Sequence, residues 1–158
     1  MRIHNGGNKR STSKPLDASR DARAVAAHIL TQVIGHGRSL TDGLDTAKLT
    51  DARDRALAQT LCYGVLRWLP RLQALLQQLL SHPLKAKDGD IQAVLLIGLY
   101  QQLYLRIPPH AAIAATVEVV RTLQKDWAVG LVNAVLRNFQ RQREELLTTV
   151  DADLTARL

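Results

Sequence analysis

Aromatic residues are scarce in this chain: three Tyr, two Trp and one Phe among 158 residues. Readout of a single nucleic-acid strand by base stacking is therefore not expected, because it needs several rings along one groove. Cysteine is scarcer still. Cys62 stands alone, which excludes an internal disulfide and a thiolate zinc cluster, and points to a reducing, cytoplasmic setting. No apolar run is long enough for a membrane helix. The longest stretch, Ile91 to Leu105, is interrupted by Gln92, Gln101 and Gln102 and falls short of the ~20 residues a span requires. Neither a transmembrane segment nor a membrane partner is expected, and the opening residues lack the apolar core of a signal peptide.

Catalytic signatures are missing as well. No glycine loop follows a strand-like segment, so no cofactor-binding site is expected: Gly6 and Gly7 lie in a polar opening segment, and Gly35 and Gly37 fit the end of a helix. His28, His36, His82 and His110 each lack a second His or a carboxylate three or four positions on, so no metal site is expected. Cys62 follows Leu61 on an apolar helical face, which fits a buried, inert thiol better than a nucleophile. Asp42 and Asp45 span one turn of a short helix and read as solvated.

What is abundant is helix-forming and basic. The chain has the length of about one domain, 46% hydrophobic residues and a wealth of Leu, Ala, Gln and Arg, which lose little entropy in a helix. An all-α fold follows. Twenty-one Lys and Arg against 14 Asp and Glu give +7, which favours a polyanionic partner. Five bases (Arg2, Lys9, Arg10, Lys14, Arg20) against Asp17 place +4 of that charge in residues 1–20. Residues 1–16 read as a disordered basic arm, equally readable as a solvated tail.

From Asp17 onward the breakers divide the chain into about seven helices. The first, about 18–34, is capped by Asp17 or Ser19 and carries Ala22, Val25, Ala26, Ile29, Leu30, Val33 and Ile34 on one face. Ser39 caps a short helix ending near Lys48, and Thr50 or Asp51 starts a third with Leu57, Leu61, Val65 and Leu69 four apart. Pro70 should kink or break that helix, with a continuation to about Leu80. Asp88 is placed to cap a helix over about 89–105 whose apolar residues point all ways, as expected of a central helix. Pro109 fits the first turn of the next, to about Leu123, and Asp126 can cap the last. That helix carries Leu131, Val132, Val135, Leu136 and Phe139 inward and then turns basic; residues after about Thr148 are expected to fray into a linker. Two groups of cations could meet phosphates: Arg20 and Arg23 beside the arm, and Arg137 and Arg141, four apart, with Asn138, Gln140 and Arg143 nearby. Glu144 and Glu145 dilute the second group, for which a solvated face is the alternative and phosphate binding the favoured reading.

Three strings carry a resemblance: Arg23-Ala24-Val25-Ala26-Ala27, Leu61-Cys62-Tyr63-Gly64-Val65-Leu66-Arg67 and Gly98-Leu99-Tyr100-Gln101-Gln102-Leu103-Tyr104. With these, residues 17–147 resemble the NusB-like RNA-binding domain. Arg106-Ile107-Pro108-Pro109-His110-Ala111-Ala112, Val117-Glu118 and Gly130 to Arg137 resemble, more narrowly, the amino-terminal domain of the RsmB (Sun/Fmu) family of 16S ribosomal RNA cytosine-C5 methyltransferases. The resemblance implies a helical NusB fold that positions a following catalytic domain on small-subunit ribosomal RNA; the segment itself is expected to be a monomer. It also implies that S-adenosylmethionine and the nucleophilic cysteine, which follows a proline, belong to that following domain. Residues 148–158 would begin the linker to it, and Cys62, after Leu61, does not match the nucleophile. Carried over by position, the family's amino-terminal arginine falls on Arg23 and its late Asn-x-x-Leu motif on Asn133 and Leu136. Leu131 stands where NusB has a phenylalanine. The implied RNA-binding set is Lys9, Arg10, Lys14, Arg20, Arg23, Asn133, Arg137 and Arg141. A stand-alone NusB-type antitermination factor, binding RNA with a ribosomal protein, is the alternative; the Tyr63 to Arg67 and Arg106 to Ala112 strings favour the methyltransferase.

Overall fold

A computed structural model describes residues 18–157, with side chains from Ala22 onward. The arm and the expected cap at Asp17 lie outside the described residues, as does the side chain of Ser19. Among the described residues there are seven α-helices and no strand: α1 (Ala18–His36), α2 (Leu40–Thr46), α3 (Ala52–Arg67), α4 (Leu69–Leu79), α5 (Gly89–Tyr104), α6 (Pro109–Thr122) and α7 (Val129–Ala156). Short 3-10 turns, Ala86–Asp88 and Asp126–Ala128, lead into α5 and α7.

The breakers act largely as their chemistry dictates. Gly37 leaves α1 with φ 64°, a conformation glycine adopts without a Cβ penalty. Ser39 caps α2 by accepting from the Asp42 N–H at 3.3 Å, and Asp51 caps α3 by accepting from Arg53 N–H at 2.7 Å. The break near Pro70 falls at Trp68, because Pro70 is accommodated in the first turn of α4, where its missing N–H costs nothing. Three expectations need correction. Asp88 stands at the N-cap of α5 but makes no capping bond; its carboxylate accepts from Lys125 Nζ at 3.2 Å instead. Asp126 opens a 3-10 turn and does not cap α7. And α7 does not fray after Thr148: it continues to Ala156, because Val150 is buried and Asp151 is paired with Arg71.

Helix α5 is the axle of the bundle, touching α1, α3, α4, α6 and α7, with Ile91 and the whole run 93–102 buried. Two glycines permit its close packing. A Cβ on Gly98 would lie 2.7 Å from both Leu136 methyls of α7, and one on Gly64 of α3 would collide with the Tyr100 ring. Hence the spacing of Tyr63-Gly64-Val65 and Gly98-Leu99-Tyr100: each glycine is the groove for a neighbour's bulk. Helix α7 bends at Gln142, whose φ of −111° and ψ of 19° are not helical. Next to the bend, Arg143 Nη1 donates to the Gln102 carbonyl at 2.9 Å, satisfying an acceptor in the last turn of α5.

Candidate nucleic-acid interface

Of the basic residues singled out by sequence, Lys9, Arg10 and Lys14 lie outside the described residues, and Arg20 is described only as backbone in the first turn of α1. Arg23 is turned into the bundle. It is 8% exposed, and its Nε donates to Gln101 Oε1 of α5 at 2.8 Å. Gln101 Nε2 in turn donates to Thr116 Oγ1 at 2.9 Å, and Thr116 Oγ1 donates to the Ala112 carbonyl at 2.7 Å. This buried polar line ties α1, α5 and α6 together, and Arg23, expected from its place beside the arm as a bidentate phosphate clamp, is largely turned away from solvent.

The residues on α7 are arranged differently. Arg137 is exposed and its Nε donates to Asn133 Oδ1 at 3.1 Å, one turn back. Arg141, also exposed, donates to the Asn138 side-chain carbonyl, not to Glu144 or Glu145. Arg137 and Asn133 form one wall of a cleft of about 390 Å³ between α6 and α7; His110, Glu118 and Arg121 of α6 form the other, over a floor of Ile113 and Val117. Arg121 pairs with Glu118 along α6. A guanidinium has five N–H donors, so Arg121 and Arg137 keep terminal donors for an external anion after these bonds. Sequence reading missed His110 and Arg121 as partners of Arg137. The signal was present as the strip of His110, Ala114, Val117 and Arg121 at helical spacing on α6, which only the packing of α6 on α7 sets against Asn133.

Cys62 is buried, and burial pushes its thiol up to about 12, so the sulfur is held protonated. No group of three His, Cys, Asp or Glu suited to a metal occurs among the described residues. Likewise no helix among them is long and apolar enough to cross a membrane.

Fold and cleft together define an all-helical module with a cleft lined by Arg121 and Arg137 between its last two long helices. The particular lineage is shown by comparison: residues 20–141 match the model of the NusB family, and the chain belongs to that family. It is 50% identical over 137 residues to ribosomal RNA small subunit methyltransferase B of Pseudomonas putida, a match covering 85% of this chain and 31% of that protein. The methyltransferase of the same name from Escherichia coli is 44% identical over 135 residues, with 84% and 31% covered. The chain thus spans under a third of the length of these relatives and matches their amino-terminal part. Among solved structures, a protein chain in the crystal structure of a plectonemic RNA supercoil superposes with a TM-score of 0.68 at 15% identity, covering 81% of this chain and 97% of that one. A chain from the complex of antitermination factors NusB and NusE with double-stranded RNA gives 0.64 at 16%, covering 84% and 97%.

Proposed function

We propose that this chain is the RNA-binding domain of an S-adenosylmethionine-dependent ribosomal RNA (cytosine-C5) methyltransferase, and that it positions a following catalytic domain on small-subunit ribosomal RNA. The observation that carries the reading is the basic cleft between α6 and α7 in a chain half identical to a ribosomal RNA methyltransferase. Asn133, Arg137 and Arg141 supply one contact region, joined by His110 and Arg121. Lys9, Arg10, Lys14 and Arg20 supply a second, which Arg23 supports by anchoring α1 to α5. Phosphate contacts set register and the helical surface reads RNA shape, while methyl transfer and the cofactor belong to the catalytic domain in cis. The domain acts in the cytoplasm as a monomer. The antitermination reading has the NusB family match and a likeness of fold at 15–16% identity behind it, whereas the methyltransferase relatives are 44–50% identical.

The test is titration of a small-subunit ribosomal RNA fragment across salt concentrations. Arg137→Ala with Arg141→Ala is expected to weaken binding and to flatten the slope of log affinity against log salt by about 1 to 2 units, since each phosphate contact contributes roughly 0.7–0.9. A double variant with the parent affinity and slope overturns this contact region.

A further inference from the structure

Trp68, Tyr100 and Tyr104 gather where α3 meets α4, and Tyr63 lies exposed on α3 one turn before Arg67. Trp68 and Tyr104 stack with ring centroids 4.9 Å apart and 13° between planes, Tyr100 lies 5.3 Å from Tyr104, and the Arg67 guanidinium sits 5.6 Å over the Trp68 ring. Tyr104 and Tyr100 belong to the packed side of this cluster. Trp68 at 37% and Tyr63 at 56% exposure do not. Tyr63 and Arg67, one turn apart on α3, form with Trp68 and Pro70 an exposed strip, and among the described residues no carboxylate is paired with Arg67. Large exposed rings beside an unpaired arginine have the composition of an interface core, where Trp, Tyr and Arg are enriched.

The direction of α7 says what covers it. Arg71, in the first turn of α4, grips Asp151 near the end of α7, whereas Leu79 and Leu80 at the other end of α4 share a cavity with Leu131 and Asn138 at the start of α7. The two helices are therefore antiparallel. Beyond Asp151, α7 runs toward the α3–α4 junction, and at 1.5 Å per residue its last turn brings the chain to the level of Trp68. Relatives continue for more than two-thirds of their length past the matched part.

We propose that the Tyr63–Arg67–Trp68 strip is the docking face for the polypeptide that follows Leu158, which covers the two rings with apolar side chains and sets a carboxylate against Arg67. The proposal rests on the reading that this chain precedes a catalytic domain. A stacked nucleobase fits less well, because Tyr104 and Arg67 already engage the Trp68 ring. The strip thus fixes the angle between the RNA-binding cleft and the catalytic domain, which a linker alone would leave free.

Hydroxyl-radical footprinting of the longer gene product and of the 158-residue chain, both without RNA, tests this. Oxidation of Tyr63 and Trp68 is expected to fall about threefold or more in the longer protein, as for rings covered at an interface core. Trp127, exposed on the far side of α4's other end, serves as the unchanged reference. Arg67→Glu in the longer protein should restore oxidation of both rings. Equal oxidation in the two proteins, with salt-dependent RNA binding intact, overturns the docking face but not the RNA-binding reading. Protection that appears only on adding the ribosomal RNA fragment, or only at high concentration of the short chain, assigns the strip to RNA or to a second copy and also overturns it. A reading frame that closes at Leu158 removes both proposals together.

Discussion

Arg71 holds Asp151 with two parallel hydrogen bonds, Nε to Oδ1 at 2.9 Å and Nη2 to Oδ2 at 2.8 Å, across 80 positions of sequence. Its Nη1 donates to the Tyr104 hydroxyl at 2.8 Å, so one guanidinium joins α4, α5 and the end of α7. The pair is partly exposed, with Asp151 at 48%, and solvent screening limits its worth to roughly 1 kcal/mol even in this bidentate form. Its effect is local. Asp151→Ala is expected to lower global stability by about 0.5–1.5 kcal/mol and to speed amide exchange over residues 148–156 about tenfold, with the rest of the bundle unchanged. Unaltered exchange in that segment would mean that Val150 alone holds the helix end.

Gly64→Ala is expected to destabilise the protein despite the ~1 kcal/mol gain in helix propensity. The new Cβ meets the Tyr100 ring, which is itself fixed against Tyr104, so overpacking of roughly 1–3 kcal/mol or more wins. Adding Tyr100→Leu, which withdraws the ring, should recover part of the loss. Urea denaturation of the single and double variants decides it: if the second substitution recovers nothing, the ring is not the obstacle.

The line from Arg23 through Gln101 to Thr116 makes a prediction that separates structure from binding. Gln101→Ala leaves the Arg23 Nε bond unmade in a buried place and should cost about 1–3 kcal/mol. Arg137→Ala removes an exposed side chain and should change stability by no more than about 0.5 kcal/mol. Thermal unfolding of both variants checks the contrast. Equal losses would place Arg137 in the packing and not at a binding surface.

Much of the helical plan was legible in residue chemistry, and the failures share a cause. The axle helix could be read because Ile91, Val94, Leu95, Leu96, Ile97 and Leu99 point in every direction, and the ends at Gly37, Ser39, Asp51 and Pro109 could be read because a cap or breaker acts on its own few neighbours. Asp88 misled because a carboxylate near a helix start can serve a distant cation as well as the nearby amides; Lys125 lies 37 positions from it. The last turns of α7 looked frayed in isolation, and the burial of Val150 with the reach of Arg71 makes them part of the fold. For the same reason Arg23 looked like a surface cation: its partner Gln101 lies 78 positions away, in a helix otherwise read as apolar. The scarcity of aromatics was visible, but not that Trp68, Tyr100 and Tyr104 meet at one junction.

Cys62 supplies the pH prediction. Burial raises its thiol from the ordinary 9.0 to about 12, so the native protein keeps a proton that the unfolded chain releases from about pH 9 upward. A raised native value contributes stability that is whole below the unfolded value and is lost as pH climbs through the native one. The loss should therefore run from roughly pH 9 to 12 at up to about 1.4 kcal/mol per pH unit, the value of one proton. Other groups also shift on folding, Lys125 among them, raised chiefly by its hydrogen bond to Asp90. They are common to parent and variant, so the informative quantity is the difference between the two curves. Cys62→Ala is expected to be less stable than the parent at pH 7, because it leaves a small void beside the Ala26 carbonyl that the thiol contacts at 3.9 Å. Above pH 9 the gap should narrow steadily, by roughly 2 kcal/mol near pH 10.5. Alkylation should agree: at pH 8.5 iodoacetamide reaches Cys62 only as fast as the bundle opens, and denaturant accelerates it in step with unfolding. Parallel stability curves from pH 7 to 11, or fast alkylation of the native protein, would show that the thiol is open to water and that the α1–α3 contact around it is looser than described.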